Sequence, residues 1–385
     1  MTLLPNSPSV CSGNSSTILL ETVLQLLSER LKKLSHSGFF SAELHQYVDQ
    51  LRASVKSLQS QMASPGLLLP LVAEVTDSIW RATQFLTGTT SNRVPYEVTF
   101  LLREVLLDWE LGDSIVTTSL SQSPDFYCER ADTAPDAVVA QLGIPGLSMS
   151  GHLVQMSVPE IFHHMPLLCS PLYHEVGHYI EERDSLVTSL LFTHLQAFID
   201  AMPGISNFPR ESQDKVAKAY AIEHFCDLVA ASYVGECVSD YIIQWDHVQI
   251  PQLSHPSASD RVSVTRDFLD DRPNPLVDLL KEAVARSGLN VRLQRRYEIP
   301  DIIECFSDVR PAVIESIPQL HGLLPAADAF LKQLLGDPSF FEGANIASVP
   351  RQRHAHLVND LIEKSIRNFM IVKAWDESLD KKADS

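Results

Sequence analysis

The stretch SPLYHEVGH, from Ser170 to His178, decides how the rest of this sequence is read. Pro171 suits the first position of a helix, and Ser170 before it is the expected N-cap. On that helix His174 and His178 stand at i and i+4 and share a face. Two imidazoles one turn apart can bind a single ion, and Glu175 lies beside its open side. With 14 histidines in 385 residues, random placement produces such an HExxH pattern in roughly 3% of chains. The pattern therefore calls for a third group.

Glu223 can supply it. The run Glu223-His224-Phe225-Cys226-Asp227 falls in a second helix expected over residues 214–234, with Ser212 as its cap and Gly235 as its end. Glu223 and Asp227 are again i and i+4, and Ala230 and Ala231 continue their face with side chains small enough for close helix approach. Glu223 can complete a metal site with His174 and His178, while Asp227 can accept a hydrogen bond from a ligand histidine and fix its tautomer. Zinc, one ion per chain, fits two imidazoles and a carboxylate and leaves a fourth position open. Glu175 is the expected general base, taking a proton from the attacking water and returning it to the leaving amine. Asp184 is the competing third ligand, placed as in the pattern HExxHxxGxxH/D. Glu181 occupies the position of the glycine that turns the chain in that pattern, so Asp184 is expected to stay on the helix, away from the ion.

These residues resemble the gluzincin metallopeptidases, which carry HExxH on one helix and Glu, then Asp four residues later, on the next. Glu223-x-x-x-Asp227-x-x-Ala230 is similar to the third-ligand motif of the heat-shock and CAAX-prenyl metallopeptidases in that group. Ser254-His255-Pro256-Ser257 followed by Arg261 is similar to their downstream His-Pro and Arg signature. The likeness spans residues 170–262. It implies a zincin-like core acting on a polypeptide substrate, with His255 stabilising the oxyanion and Tyr233 and Tyr241 next in line for that role. The chain departs from the family at Phe225 and Cys226, where acidic and alanine residues are usual, and at Ser257, where a second proline is usual. It also lacks apolar runs long enough for the family's membrane helices. The alternative is a catalytically inactive zinc-bound regulator or sensor whose helical flanks bind a protein partner. Glu175 argues against it, because a structural zinc needs no base and usually has four protein ligands.

Outward from this core, residues 17–34 place Leu20, Val23, Leu24, Leu27, Leu31 and Leu34 on one face of an amphipathic helix. Residues 40–62 and 67–85 repeat the pattern, and residues 95–109 form a further helix. Residues 114–120 (SIVTTSL) are rich in β-branched side chains and read as a strand. Residues 121–136 read as a loop, and residues 137–149 and 153–158 as short strands. The expected fold is α+β and predominantly helical: an N-terminal helical region over residues 1–90, a zincin-like catalytic domain over 91–269, and a C-terminal helical region over 270–385 that opens with the linker DDRPNP.

Composition narrows the function classes. Hydrophobic residues at 45% and charged residues at 20% are those of a globular chain. Thirty Lys and Arg against 48 Asp and Glu give a net charge of −18, which works against binding nucleic acid or anionic lipid and permits a cationic polypeptide partner. The six cysteines form no CxxC pair and the N-terminus has no signal-like pattern, so reduced thiols and a soluble, cytoplasmic protein are expected. Nothing in the sequence specifies an oligomeric state. Among the remaining candidates, His163 and His164 are expected in a loop and His354 and His356 in solvent. His224, pointing about 100° away from Glu223 on the helix, is not expected to ligate, and Cys226 is expected to be a buried, inert thiol.

Overall fold

The computed structural model describes residues 11–39, 41–64, 66–89, 96–130, 136–149, 151–245 and 251–383. In chain order its helices are α1 (Cys11–Leu34), α2 (Ala42–Gln61), α3 (Leu69–Gly88), α4 (Tyr96–Asp108), α5 (Asp136–Leu142), α6 (Pro171–Asp184) and α7 (Leu186–Ala201). They continue with α8 (Arg210–Val234), α9 (Cys237–Trp245), α10 (Ala258–Leu269), α11 (Pro275–Arg286), α12 (Ile303–Ser307), α13 (Ile317–Gly336) and α14 (His354–Ala383). Strands β1 (Ser114–Ser121), β2 (Tyr127–Arg130) and β3 (His152–Pro159) pair in the order β1-β3-β2. The described residues are thus predominantly helical with one small sheet, the composition the patterning predicts. No helix among the described residues is long and apolar enough to cross a membrane.

Two compact units result, the first drawn from residues 1–94, 113–120 and 129–155 and the second from 95–112, 121–128 and 156–385. The core of the first is built on the periodicity of its helices. Leu24, Leu27 and Leu31 of α1 meet Leu44, Val48, Leu51 and Val55 of α2 and Val72, Val75 and Ile79 of α3, all buried. The α2 N-terminus is closed by Ser41, whose side chain accepts a hydrogen bond from the Leu44 backbone N–H. In the second unit α8 is the central element, packed by α6, α7, α10 and α13. Its residues are buried without a break from Glu223 to Val234.

Several local expectations need correction. Residues 137–149 hold no strand; their first half is α5, which sets Val138, Val139 and Leu142 against the first core on one helical face. The loop expected over 121–136 contains β2, a four-residue edge strand too short and polar to register as one. Residues 131–135 of that loop lie outside the described residues. Ser170 does not cap α6: it has helical φ/ψ and no side-chain bond, because the 3₁₀ turn Pro166–Cys169 runs directly into the helix. Pro171 does sit in the first turn. Ser212 lies inside α8, which starts earlier, after Pro209. Gly235 ends that helix at φ 57°. Residues 270–274 join α10 to α11 within the second unit, and Asn274 caps α11 by accepting from the Leu276 and Val277 amides.

Candidate metal centre

α6 and α8 come together because one of them gives up a side chain. A Cβ on Gly177 would stand 2.7 Å from the Cys226 Cα, so only glycine allows the α6 backbone to lie this close to α8. Glycine inside a helix costs about 1 kcal/mol relative to alanine, and here it brings His174 and His178 within reach of Glu223. Ala230 and Ala231, the small residues the sequence points to, are buried further along α8; the point of closest approach is Gly177.

Three donor groups converge across this contact. Nε2 of His174 lies 3.1 Å from Nε2 of His178. The Glu223 carboxylate is 3.4 Å from each ring, through Oε2 to His174 and Oε1 to His178. Donors sharing one ion tetrahedrally at about 2.1 Å stand about 3.4 Å from one another, so the three groups fit a common metal. Cys226 offers a second possible third donor, since its Sγ and nitrogens of both rings lie within 4.8 Å of one another. Its chemistry suits the role less well, because burial pushes the thiol well above its ordinary range and a ligand must be a thiolate.

Electrostatics order the cluster. Burial pushes His178 down to about 4, and the neighbouring charge on His174 adds to this, so its lone pair stays available. Burial would lower His174 too, but hydrogen bonds to Asp227 and Glu223 outweigh it and hold the group up at about 10. Burial would raise Glu223, yet the hydrogen bond and charge of His174 bring it down to about 2. Asp227 is fully buried, accepts from His174 Nδ1 at 2.9 Å, and is held by Arg261 through Nε at 2.8 Å and Nη2 at 2.6 Å. That guanidinium, also 3.7 Å from Glu223 Oε2, outweighs burial and keeps Asp227 well below the usual carboxylate range.

The donors face a cleft of about 370 Å³. Glu175 lines it, partly buried, with its carboxylate bonded by the Cys128 backbone N–H; burial raises its proton affinity and the charge on His174 opposes this. His255 lines the same cleft, its Nε2 3.5 Å from Glu223 Oε1 and its Nδ1 2.9 Å from Ser254 Oγ. Phe126, Val238, Tyr241 and Ile242 form an apolar wall, with Phe126 edge-on to Tyr241.

Of the residues singled out in the sequence, His174, Glu175, His178, Glu223, Asp227 and His255 are thus brought together. Tyr241 joins them, but Tyr233 does not: it is buried and its hydroxyl donates to Asp108. Asp184 ends α6 and lines a different cavity with Leu186 and Arg286. Glu181, where a turning glycine was required, is buried and accepts from the Val187 and Thr188 amides and the Thr188 hydroxyl, closing the start of α7. His164 pairs with Glu363 and stacks on His163. His224 is buried and pushed down to about 4 by that burial, and its Nδ1 has no partner among the described residues. His356 is exposed, but His354 is buried with Nε2 on the Val349 carbonyl, contrary to expectation. Arg261 and Gly177 are the site residues to which spacing assigned no role. No protein-family profile, curated protein or solved structure matches the chain, so function is read from these side chains themselves.

Proposed function

We propose that this chain is a zinc-dependent peptidase with a zincin-like core, in which His174, His178 and Glu223 hold the metal and Glu175 is the general base. The observation that carries the reading is the convergence of three donors at 3.1–3.4 Å beside a carboxylate that faces the cleft. Bound zinc supplies a Lewis acid for the peptide carbonyl and lowers the pKa of a water to about 7. The side chains divide the remaining work. Glu175 accepts the proton of the attacking water at a carboxylate oxygen and passes it to the leaving amine. Asp227, steadied by Arg261, holds the His174 Nδ1–H and so aims the Nε2 lone pair at the metal position. His255 Nε2 donates to the oxygen that gains charge. The apolar wall of Phe126, Tyr241 and Ile242 accommodates a side chain of the polypeptide substrate.

One observation favours a second reading, a zinc-bound regulator without hydrolytic activity. If the nearby Cys226 thiol also ligates, four protein groups enclose the ion and the site is structural. Zinc analysis combined with digestion of a proteome-derived peptide library separates the two. Wild type, Glu175→Gln and Cys226→Ser are expected to bind one zinc each, with cleavage absent only in Glu175→Gln. Metal loss in Cys226→Ser, with no cleavage by wild type, would establish the regulator. A wild-type protein that binds no zinc removes both.

A further inference from the structure

Away from the metal centre, the second unit carries a groove of about 1040 Å³ formed by the end of α10, one side of α11 and the segment that follows α11, from Leu289 to Arg295. This segment contains neither helix nor strand, yet it is fastened at both ends. The Asn290 backbone N–H and Nδ2 donate to Glu110 Oε1 at 3.0 and 3.1 Å. At the other end the Arg296 backbone N–H donates to the Ser232 carbonyl at 2.7 Å, and its Nη1 reaches Asp108 at 3.3 Å. Between these anchors Val291 and Leu293 are buried while Arg292, Gln294 and Arg295 are exposed. No hydrogen bond among the described residues uses the backbone N–H groups of residues 291–295.

Three cations line the groove, Lys281, Arg292 and Arg295, and none has a carboxylate within 4.0 Å among the described residues. In a chain of net charge −18 that is unusual, and nearby Arg272 and Arg286 are each paired with an acid. Two of the three are set in place by aromatic rings. Lys281 Nζ lies 5.4 Å above the Phe268 ring, and the Arg295 guanidinium lies 4.6 Å above Tyr297 while donating to its hydroxyl at 2.9 Å. A ring face orients a cation without neutralising it, so the charges stay available to an incoming anion. Asp271 is the one acid among the lining residues. The volume is at the upper end of the range for small-ligand sites, about 300–1,000 Å³, and suits an elongated ligand.

We propose that this groove binds an acidic segment of a partner polypeptide. Its carboxylates pair with Lys281, Arg292 and Arg295, and its apolar side chains lie on Leu269 and Leu289. A nucleic acid is disfavoured, because phosphate binding draws on a wide field of positive charge and this groove sets only three cations beside apolar Leu269 and Leu289. The assignment does not depend on the metal chemistry.

The test uses the whole 385-residue chain and a fluorescein-labelled dodecapeptide of alternating Glu and Leu, followed by anisotropy at low and moderate salt. Three arms accompany it: the same peptide with Gln for Glu, a single-stranded oligonucleotide, and phosphatidylserine vesicles. The Glu peptide should bind at micromolar concentration, weaken with salt, and bind at least tenfold less well to the Lys281→Ala/Arg292→Ala/Arg295→Ala variant. The melting temperature should stay within a few degrees, since Arg292 and Arg295 are exposed, Lys281 is half-buried and none of the three pairs with a carboxylate among the described residues. Equal binding to the variant, equal binding of the Gln peptide, or tighter binding of the oligonucleotide or vesicles would overturn the proposal.

Discussion

The bundle of α1, α2 and α3 and the pair of α6 and α8 are both built from packed helices, but they bury different things. In the bundle the buried positions carry no charge: most are aliphatic, joined by Tyr47, Phe85 and the hydroxyl residues Ser54, Thr76, Ser78 and Thr83. In the α6–α8 pair the buried set includes His174, Glu223, His224, Asp227 and, from α10, Arg261. Aliphatic burial stabilises wherever it occurs, at about 25 cal/mol per Å². Buried charges cost several kcal/mol each unless they are paired and hydrogen-bonded. The bundle is therefore organised for stability, and the α6–α8 contact keeps an arrangement that stability alone would not select.

The largest expected effect tests that difference at Arg261. Arg261→Met removes the buried guanidinium that Asp227 and Glu223 share and should cost about 3–5 kcal/mol in chemical denaturation, with zinc binding much weakened. Adding Asp227→Leu should recover most of the stability and none of the metal affinity. If Arg261→Met is as stable as wild type, the charged cluster is not what sets this pair of helices apart. The converse is Leu51→Ala in the bundle, where a cavity should cost about 3 kcal/mol while zinc stoichiometry stays at one per chain. Loss of metal in that variant would break the comparison from the other side.

A third measurement uses pH. His321 is buried among Tyr173 and Tyr233, and burial pushes it down to about 3. The unfolded chain protonates this histidine below about pH 6.5 and the folded chain does not, so its contribution is complete above that pH and drains away as pH falls towards the folded value. By pH 5 the loss amounts to about 2 kcal/mol. His321→Phe should lose less stability than wild type between pH 7 and pH 5, and an identical pH dependence would show that this ring is not held neutral. The smallest effect compares two helix starts. Ser41→Ala should cost about 1 kcal/mol by removing the α2 cap, whereas Ser170→Ala removes no cap bond. Equal losses would erase that distinction.

What could be read in advance follows the same division. Leu24, Leu27 and Leu31 announce their helix because period and burial agree. His174, His178, Glu223 and Asp227 could be placed on facing helices because i, i+4 spacing translates directly into a shared face. Arg261 could not be assigned its partner, since a guanidinium 34 residues (261 − 227) from the carboxylate it grips leaves no periodic trace. Gly177 was visible, but as part of a motif, not as the contact that sets the distance between helices. α5 was misread because Val138 and Val139 suggest a strand and a seven-residue helix offers too few turns to display its period. β2 acquires its identity only by pairing with β3.

Glu181 joins the end of α6 to the beginning of α7. Its carboxylate takes three hydrogen bonds from the first turn of α7 across the left-handed Ser185 at φ 50°, satisfying two of the amides that a helix start otherwise leaves to solvent. The elbow is consequently a clasp: α6 cannot rotate about its axis without first releasing those bonds. Solvent deuterium should reach the Val187 and Thr188 amides only when the clasp opens, so their exchange rates time the loosening of the helix that bears His174 and His178.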